Sequence, residues 1–231
     1  MHPKVAELLE QKYDDQRSPE WFALRGQMLT ASDLAAAIGS NFFKHPETLI
    51  LEKCGLGRKF NGNADTARGT RLEPYVRDKY DAQTGSKSHE IGLLVHSEHK
   101  WLGGSPDGVT EDGVLIEIKC PKKISKKVPE YYMPQIQLLL EIMELEECDF
   151  IQYSEEKDLM QIIRVHRDRE WFREKLPIMD AFWKRVLYKR KHGVCELLTW
   201  SPSQPLSSKE DPSSLHLEKE LLDAHESHVD S

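Results

Sequence analysis

The sequence predicts an α/β fold: a central mixed β-sheet of four or five strands flanked by helices. Three observations carry this. Short apolar runs at 88–96, 101–105, 114–119, 148–153 and 159–166 have strand length and are bounded by turn residues. Longer stretches before and after them place apolar residues three and four apart, which is helical spacing. Finally, 231 residues suffice for one domain with a sizeable core and are too few for two comfortable ones. The organisation expected is one domain over 1–199 and an acidic, Ser/Pro-rich tail over 200–231, too poor in apolar residues to fold.

Taken in order, residues 3–14 space Val5, Leu8, Leu9 and Tyr13 as a short amphipathic helix. Ser18 followed by Pro19 is a helix start, an N-cap with proline at the first helical position. Thr30-Ala31-Ser32-Asp33-Leu34 opens another helix that Gly39 closes, and 46–54 reads as a third, ended by Gly55. A flexible stretch over 58–64 leads to a segment in which Leu72, Val76 and Tyr80 form a buried stripe. Two strands, 88–96 and 101–105, follow; the small Gly103, Gly104 and Ser105 permit close approach of a backbone or ligand. After Pro121 a lysine-rich loop runs to Pro129, then a long helix from Tyr131 to Met143. Two more strands turn at 154–158, and a long helix over 168–192, interrupted at Pro177, is expected to cover the sheet.

The chemistry concentrates in 103–119. Val114 to Lys119 reads as a strand, whose period of two puts Glu117 and Lys119 on one face. Asp112-Gly113 supplies the turn that folds Asp107 back beside it. Two carboxylates and an amine then converge, a set suited to metal-assisted phosphodiester hydrolysis with Mg²⁺, for which Mn²⁺ can substitute. The competing reading is an exposed strand edge carrying a surface ion pair.

Composition bounds the alternatives. No apolar run approaches the roughly 20 residues that span a bilayer, and residues 1–7 lack the apolar core of a signal peptide, so a reducing, intracellular setting and no membrane partner are expected. Cys54, Cys120, Cys148 and Cys195 are scattered, which argues against zinc and iron–sulfur sites. His89, His96 and His99 lack metal-pair spacing and read as surface or loop residues. A net charge of −7 is unfavourable for binding phosphates, but seven acids against two lysines fall in 200–231. Lysines 119, 122, 123, 126 and 127 form one basic run, and residues 184–191 hold another.

Ser105-Pro106-Asp107-Gly108 and Leu115-Ile116-Glu117-Ile118-Lys119-Cys120-Pro121 resemble the core motif of the PD-(D/E)XK nucleases, in the branch of lambda exonuclease and the YqaJ-type viral recombination nucleases. Three further blocks extend the resemblance in the same order: Ser18-x-Glu20-Trp21 to Arg25 with Thr30-Ala31-Ser32, Arg68-Gly69 to Glu73-Pro74, and Tyr132-x-x-Gln135-x-Gln137. The resemblance implies a restriction-endonuclease-like core and a 5′→3′ exonuclease acting on double-stranded DNA ends in recombination or repair. It implies Asp107, Glu117 and the Ile118 carbonyl as metal ligands, Glu73 as an assisting carboxylate, and Lys119 as the group that positions the nucleophile. Arg25 and Ser32 would bind phosphate, with Ser105, Gln135 and Tyr132 along the DNA; residue chemistry alone favours Ser32 as an internal cap and Arg25 as a surface cation. A strand-annealing partner and a homo-trimer are further implications. A junction-cutting endonuclease and a non-catalytic DNA-binding protein are the rival readings.

Overall fold

The computed structural model describes residues 1–14, 16–57 and 64–194, and the expectations for 58–63 and for the 200–231 tail lie outside them. The helical starts written in the sequence hold. Helix α1 (Pro3–Glu10) buries Val5 and Leu8 but stops before Tyr13, whose hydroxyl donates to the Leu8 carbonyl at 2.8 Å. In α2 (Pro19–Gly26) the Ser18 hydroxyl caps the Trp21 N–H at 3.1 Å. A two-residue strand, β1 (Leu29–Thr30), runs into α3 (Ala31–Ala37), and Gly39 at φ +75° supplies the left-handed residue that ends that turn. Next come α4 (Pro46–Lys53) and α5 (Ala64–Thr84), the latter continuous through Pro74.

The expected single strand over 88–96 is two: β2 (Ser88–His89) and β3 (Leu94–Val95), which belong to different sheets. Gly92 lies between them, packed so closely on Tyr13 that a side chain would strike its Cβ at 2.2 Å. Strand β4 (Leu102–Gly104) joins β1 and β3 in a three-stranded sheet that the sequence reading did not separate from the main one. Its glycines make room for protein, because a Cβ at Gly103 would meet Met28 Sδ at 2.2 Å and one at Gly104 would meet Leu139 Cδ2 at 2.7 Å.

The main sheet has the order β2-β5-β6-β7-β8, adding β5 (Gly108–Thr110), β6 (Val114–Lys119), β7 (Glu147–Ser154) and β8 (Leu159–His166). Only β6 and β7 pair in parallel, so the sheet is mixed. Between them a single 3-10 turn (Glu130–Tyr132) leads into α6 (Met133–Met143), most of whose side chains are buried. Strand β6 is covered on both faces: Ile116 and Ile118 pack with Leu72, Val76 and Tyr80 of α5, and period two leaves Leu115, Glu117 and Lys119 to the opposite face. Helix α7 (Arg169–His192) runs unbroken through Pro177. It packs on α6, α4 and α3 and so forms an outer layer over helices, where the sequence reading had it covering the sheet. His96 is also a correction: it is buried, its Nδ1 accepting the Glu98 and His99 N–H groups, because it caps the β3–β4 turn.

Candidate active site

The site is built where β5 ends and β6 continues. The antiparallel ladder pairs Gly108 with Ile116, so Ile118 lies beyond it and its N–H would be orphaned. Asp107 takes that place, its Oδ2 accepting the Ile118 N–H at 2.7 Å. The Ile118 carbonyl points to the same side, since N–H and C=O of one strand residue face one neighbour. Arg77 of α5 holds the Asp107 carbonyl at 2.9 Å and pairs with Glu90, fixing the turn before β5.

On β6, Glu117 is 0% exposed. Its Oε1 accepts both the Lys119 ammonium and the Gln135 amide, the latter at 2.6 Å, while its buried Oε2 has no partner. Lys119 also sits over the Tyr132 ring, 5.2 Å from its centroid. Asp107, Glu117, Lys119, Gln135 and Tyr132 are thus brought together from the residue before β5, from β6, and from the 3-10 turn and first turn of α6. Glu73 borders the group from α5, with its Oε2 held by Arg17 at 3.1 Å beside a cavity of about 380 Å³.

One lysine faces three acids. Burial, then the Asp107 charge, pushes the Glu117 carboxyl up to about 8. Burial and Asp107 likewise push Glu73 up to about 7, against the pull of Arg17 and Arg77. Asp107 is raised by burial, opposed first by Lys119. Burial pulls Lys119 down, but Glu117 and Asp107 outweigh it and keep its ammonium charged. Lys119 therefore offsets only part of the negative charge of these acids, and further positive charge would favour their ionised forms. Among the described residues no ready-made cage of three His, Cys, Asp or Glu side chains exists. The hard oxygens of Asp107 and Glu117, the unpartnered Oε2 and the Ile118 carbonyl nevertheless fit a divalent cation of the magnesium type.

A second group lies on α2 and the start of α3. Arg25 donates to Ser32 Oγ at 2.8 Å and to Thr30 Oγ1 at 3.3 Å, with its guanidinium stacked 4.4 Å over Trp21. Trp21 Nε1 in turn donates to Ser105 Oγ at 3.0 Å, two residues before Asp107. Arg25, Ser32 and Ser105, far apart in the chain, are thereby linked through Trp21. Ser32 lies within the first turn of α3; Thr30 is the residue at its cap.

A sequence profile of the YqaJ-like viral recombinase domain matches residues 20–146, more than half of the chain and all of both groups except Arg17. The chain belongs to that family. An uncharacterised protein of Acanthamoeba polyphaga mimivirus is 33% identical over 158 residues, 60% of this chain and 29% of the relative. A protein of African swine fever virus is 32% identical over 155 residues, 53% of this chain and 44% of the relative. The YqaJ-like chain thus spans less than half the length of these curated relatives. The crystal structure of an alkaline exonuclease from Laribacter hongkongensis superposes with a TM-score of 0.67 at 28% identity, over 76% of this chain and 95% of that one. The expected restriction-endonuclease-like α/β fold is therefore the fold of this YqaJ-like domain.

Several residues that shape the site carry no signal in sequence. Arg17, at φ +71°, holds Glu73. Asp33 and Lys53 form a mostly buried pair at 2.9 Å behind Arg25, with Thr30 Oγ1 donating to Asp33 and Lys53 donating to the Arg25 and Met28 carbonyls. Gln152, buried on β7 opposite Lys119, clamps the lysine loop through both the N–H and the carbonyl of Ser125. Arg68 binds the Cys120 carbonyl at the end of β6; only its place in the Arg-Gly block could have flagged it.

Proposed function

We propose that this chain is a metal-dependent deoxyribonuclease that degrades one strand of double-stranded DNA 5′→3′ from its ends, in recombination or repair. The observation that carries the proposal is the Asp107–Glu117–Lys119 group, in which Glu117 is fully buried and one of its carboxylate oxygens has no partner. The restriction-endonuclease-like fold, shared with an exonuclease at a TM-score of 0.67, agrees with it. Asp107, Glu117 and the Ile118 carbonyl would hold Mg²⁺ or Mn²⁺, with Glu73 assisting. When bound, the cation polarises the scissile phosphate and lowers the pKa of a water. Lys119 orients that water and steadies the added negative charge of the pentavalent state. Gln135 fixes the Glu117 carboxylate through Oε1 and leaves Oε2 for the metal. Tyr132 covers one side of the lysine ammonium with its ring.

Arg25, Thr30 and Ser32 would take a terminal 5′-phosphate, since a guanidinium held on Trp21 offers charge-assisted hydrogen bonds that a 5′-hydroxyl cannot exploit. A homo-trimer and a strand-annealing partner extend the proposal as the family resemblance implies. The test is linear duplex DNA end-labelled in both polarities, with 5′-phosphate or 5′-hydroxyl ends, in Mg²⁺ and in Mn²⁺. Loss of label in 5′→3′ order is expected, several-fold faster on 5′-phosphate ends, because one hydrogen bond to a charged group contributes ~1.5–3 kcal/mol. Asp107→Ala and Lys119→Ala should each retain less than about a tenth of the activity, a tenfold step being only ~1.4 kcal/mol. Arg25→Ala should shrink the preference for phosphorylated ends. Internal nicks in circular DNA, or equal rates on both kinds of end, would overturn the exonuclease and pocket assignments.

A further inference from the structure

Phe42 and Phe43 are the most exposed large apolar side chains among the described residues, at 84% and 82%. They do not ride on a slack loop. The Ser40 N–H donates to the Ala35 carbonyl at 2.9 Å, Asn41 Oδ1 accepts the Phe43 N–H at 2.7 Å, and Lys44 pairs with Glu52 of α4 at 2.7 Å. Two rings are thus held out into water by a turn anchored on both sides. Through Phe43 the turn is also continuous with the Lys119 group: Phe43 meets Tyr131 edge-on at 5.5 Å, Tyr131 meets Tyr132 at 4.3 Å, and Lys119 lies over Tyr132. A row of aromatic rings leads from the lysine to solvent.

We propose that Phe42 and Phe43 are a stacking platform for unpaired nucleobases of the DNA end, a site that rests on the nuclease reading above and specifies its substrate as a frayed strand. A ring left in water is covered favourably by the flat face of a base, and base–aromatic stacking tolerates any sequence because every base has a π-face. Paired bases inside a duplex keep their faces stacked on each other, so only melted nucleotides fit. Phenylalanine has no polar group with which to read a base edge, so the platform grips without choosing sequence. Its position at the outer end of the row that begins at Lys119 places it to hold nucleotides already separated from their partner strand.

The experiment measures binding by the full chain in EDTA, where no cleavage occurs, to a short oligothymidylate and to the same backbone carrying abasic sites. The wild type is expected to prefer the base-bearing strand at least fivefold. Phe42→Ala and Phe43→Ala should each reduce that ratio, the double variant should bring it close to one, and Phe43→Trp should preserve it. Melting temperatures should not change, since both rings are exposed. An unchanged ratio in the double variant overturns the platform. So does light scattering that shows the double variant splitting an oligomer while the ratio holds, because the rings then serve a second copy of the chain. Binding is read without metal or hydrolysis, so an absence of nuclease activity would strike the parent reading and leave this one measurable.

Discussion

Glu117 shows how one side chain can be placed at the expense of stability. It is fully buried with one oxygen satisfied twice and the other not at all. A carboxyl raised to about 8 in the fold, against roughly 4.3 in the unfolded chain, binds more protons folded than unfolded between those values. Stability of the metal-free protein must therefore fall as pH rises through that window, and metal affinity must rise as the acids give up their protons. Thermal melts in EDTA from pH 5.5 to 8.5 should show the decline, and Glu117→Gln should flatten it. At pH 8 that variant should gain at least ~1 kcal/mol, about 2–4 °C at this chain length. Added Mg²⁺ or Mn²⁺ should raise the melting temperature of the wild type and not of the variant. A wild-type profile flat in EDTA would contradict the charge balance assigned to the site.

Helices α2, α3 and α4 meet around a single ion pair. The Lys53 ammonium joins the carboxylate of Asp33 in the first turn of α3 to the Arg25 and Met28 carbonyls at and beyond the end of α2. Burial pushes Asp33 up, but Lys53 and Arg25 outweigh it and hold the carboxyl below its usual range. The contribution is present above the unfolded carboxylate pKa and is lost as pH falls through the lower folded value, so below about 4. Lys53→Met should cost roughly 1–3 kcal/mol by removing the ammonium partner of a mostly buried acid, and Asp33→Leu added to it should recover part of the loss. Because Asp33 also accepts the Thr30 hydroxyl beside Arg25, Lys53→Met should weaken the preference for 5′-phosphate ends. Chemical unfolding of the two variants, with the end-labelled assay, checks both effects; equal stability of Lys53→Met and wild type would show the pair to be incidental.

For the molecule as a whole, charge is distributed against its proposed substrate. A net −7 includes seven acids against two lysines in 200–231, while the lysine run on the loop after β6 is held to the sheet by Gln152. Ending the chain after Thr199 should leave melting temperature and nuclease activity intact and strengthen duplex binding at low salt, where unscreened acids compete with phosphate. The gain should vanish near 0.5 M salt, where the Debye length falls to roughly 4 Å. A melting temperature lowered by truncation would show that 200–231 contributes to the folded domain. Among the described residues no helix is long and apolar enough to cross a membrane.

What the sequence by itself determined were features whose cause is local. Ser18 with Pro19 must start a helix, Asp112-Gly113 must turn, and period two must put Glu117 and Lys119 on one face, so the β5–β6 hairpin and the convergence of Asp107, Glu117 and Lys119 were legible. The four blocks of resemblance named Glu73, Arg25, Ser32, Gln135 and Tyr132, which the fold places in the two groups described above, and each block is a short pattern of neighbours. What only the tertiary structure decided depends on contacts across the chain. The 88–96 run splits because Tyr13, some eighty residues away, fills the space beside Gly92. Helix α7 turns its apolar stripe to other helices, and a stripe carries no record of which surface will cover it. Lys53 and Asp33 look like surface charges until folding removes water from around them. The raised carboxyl of Glu117 likewise arises only when α5, α6 and β5 close over one strand, because burial sets the cost of a charge and burial is a property of the whole fold.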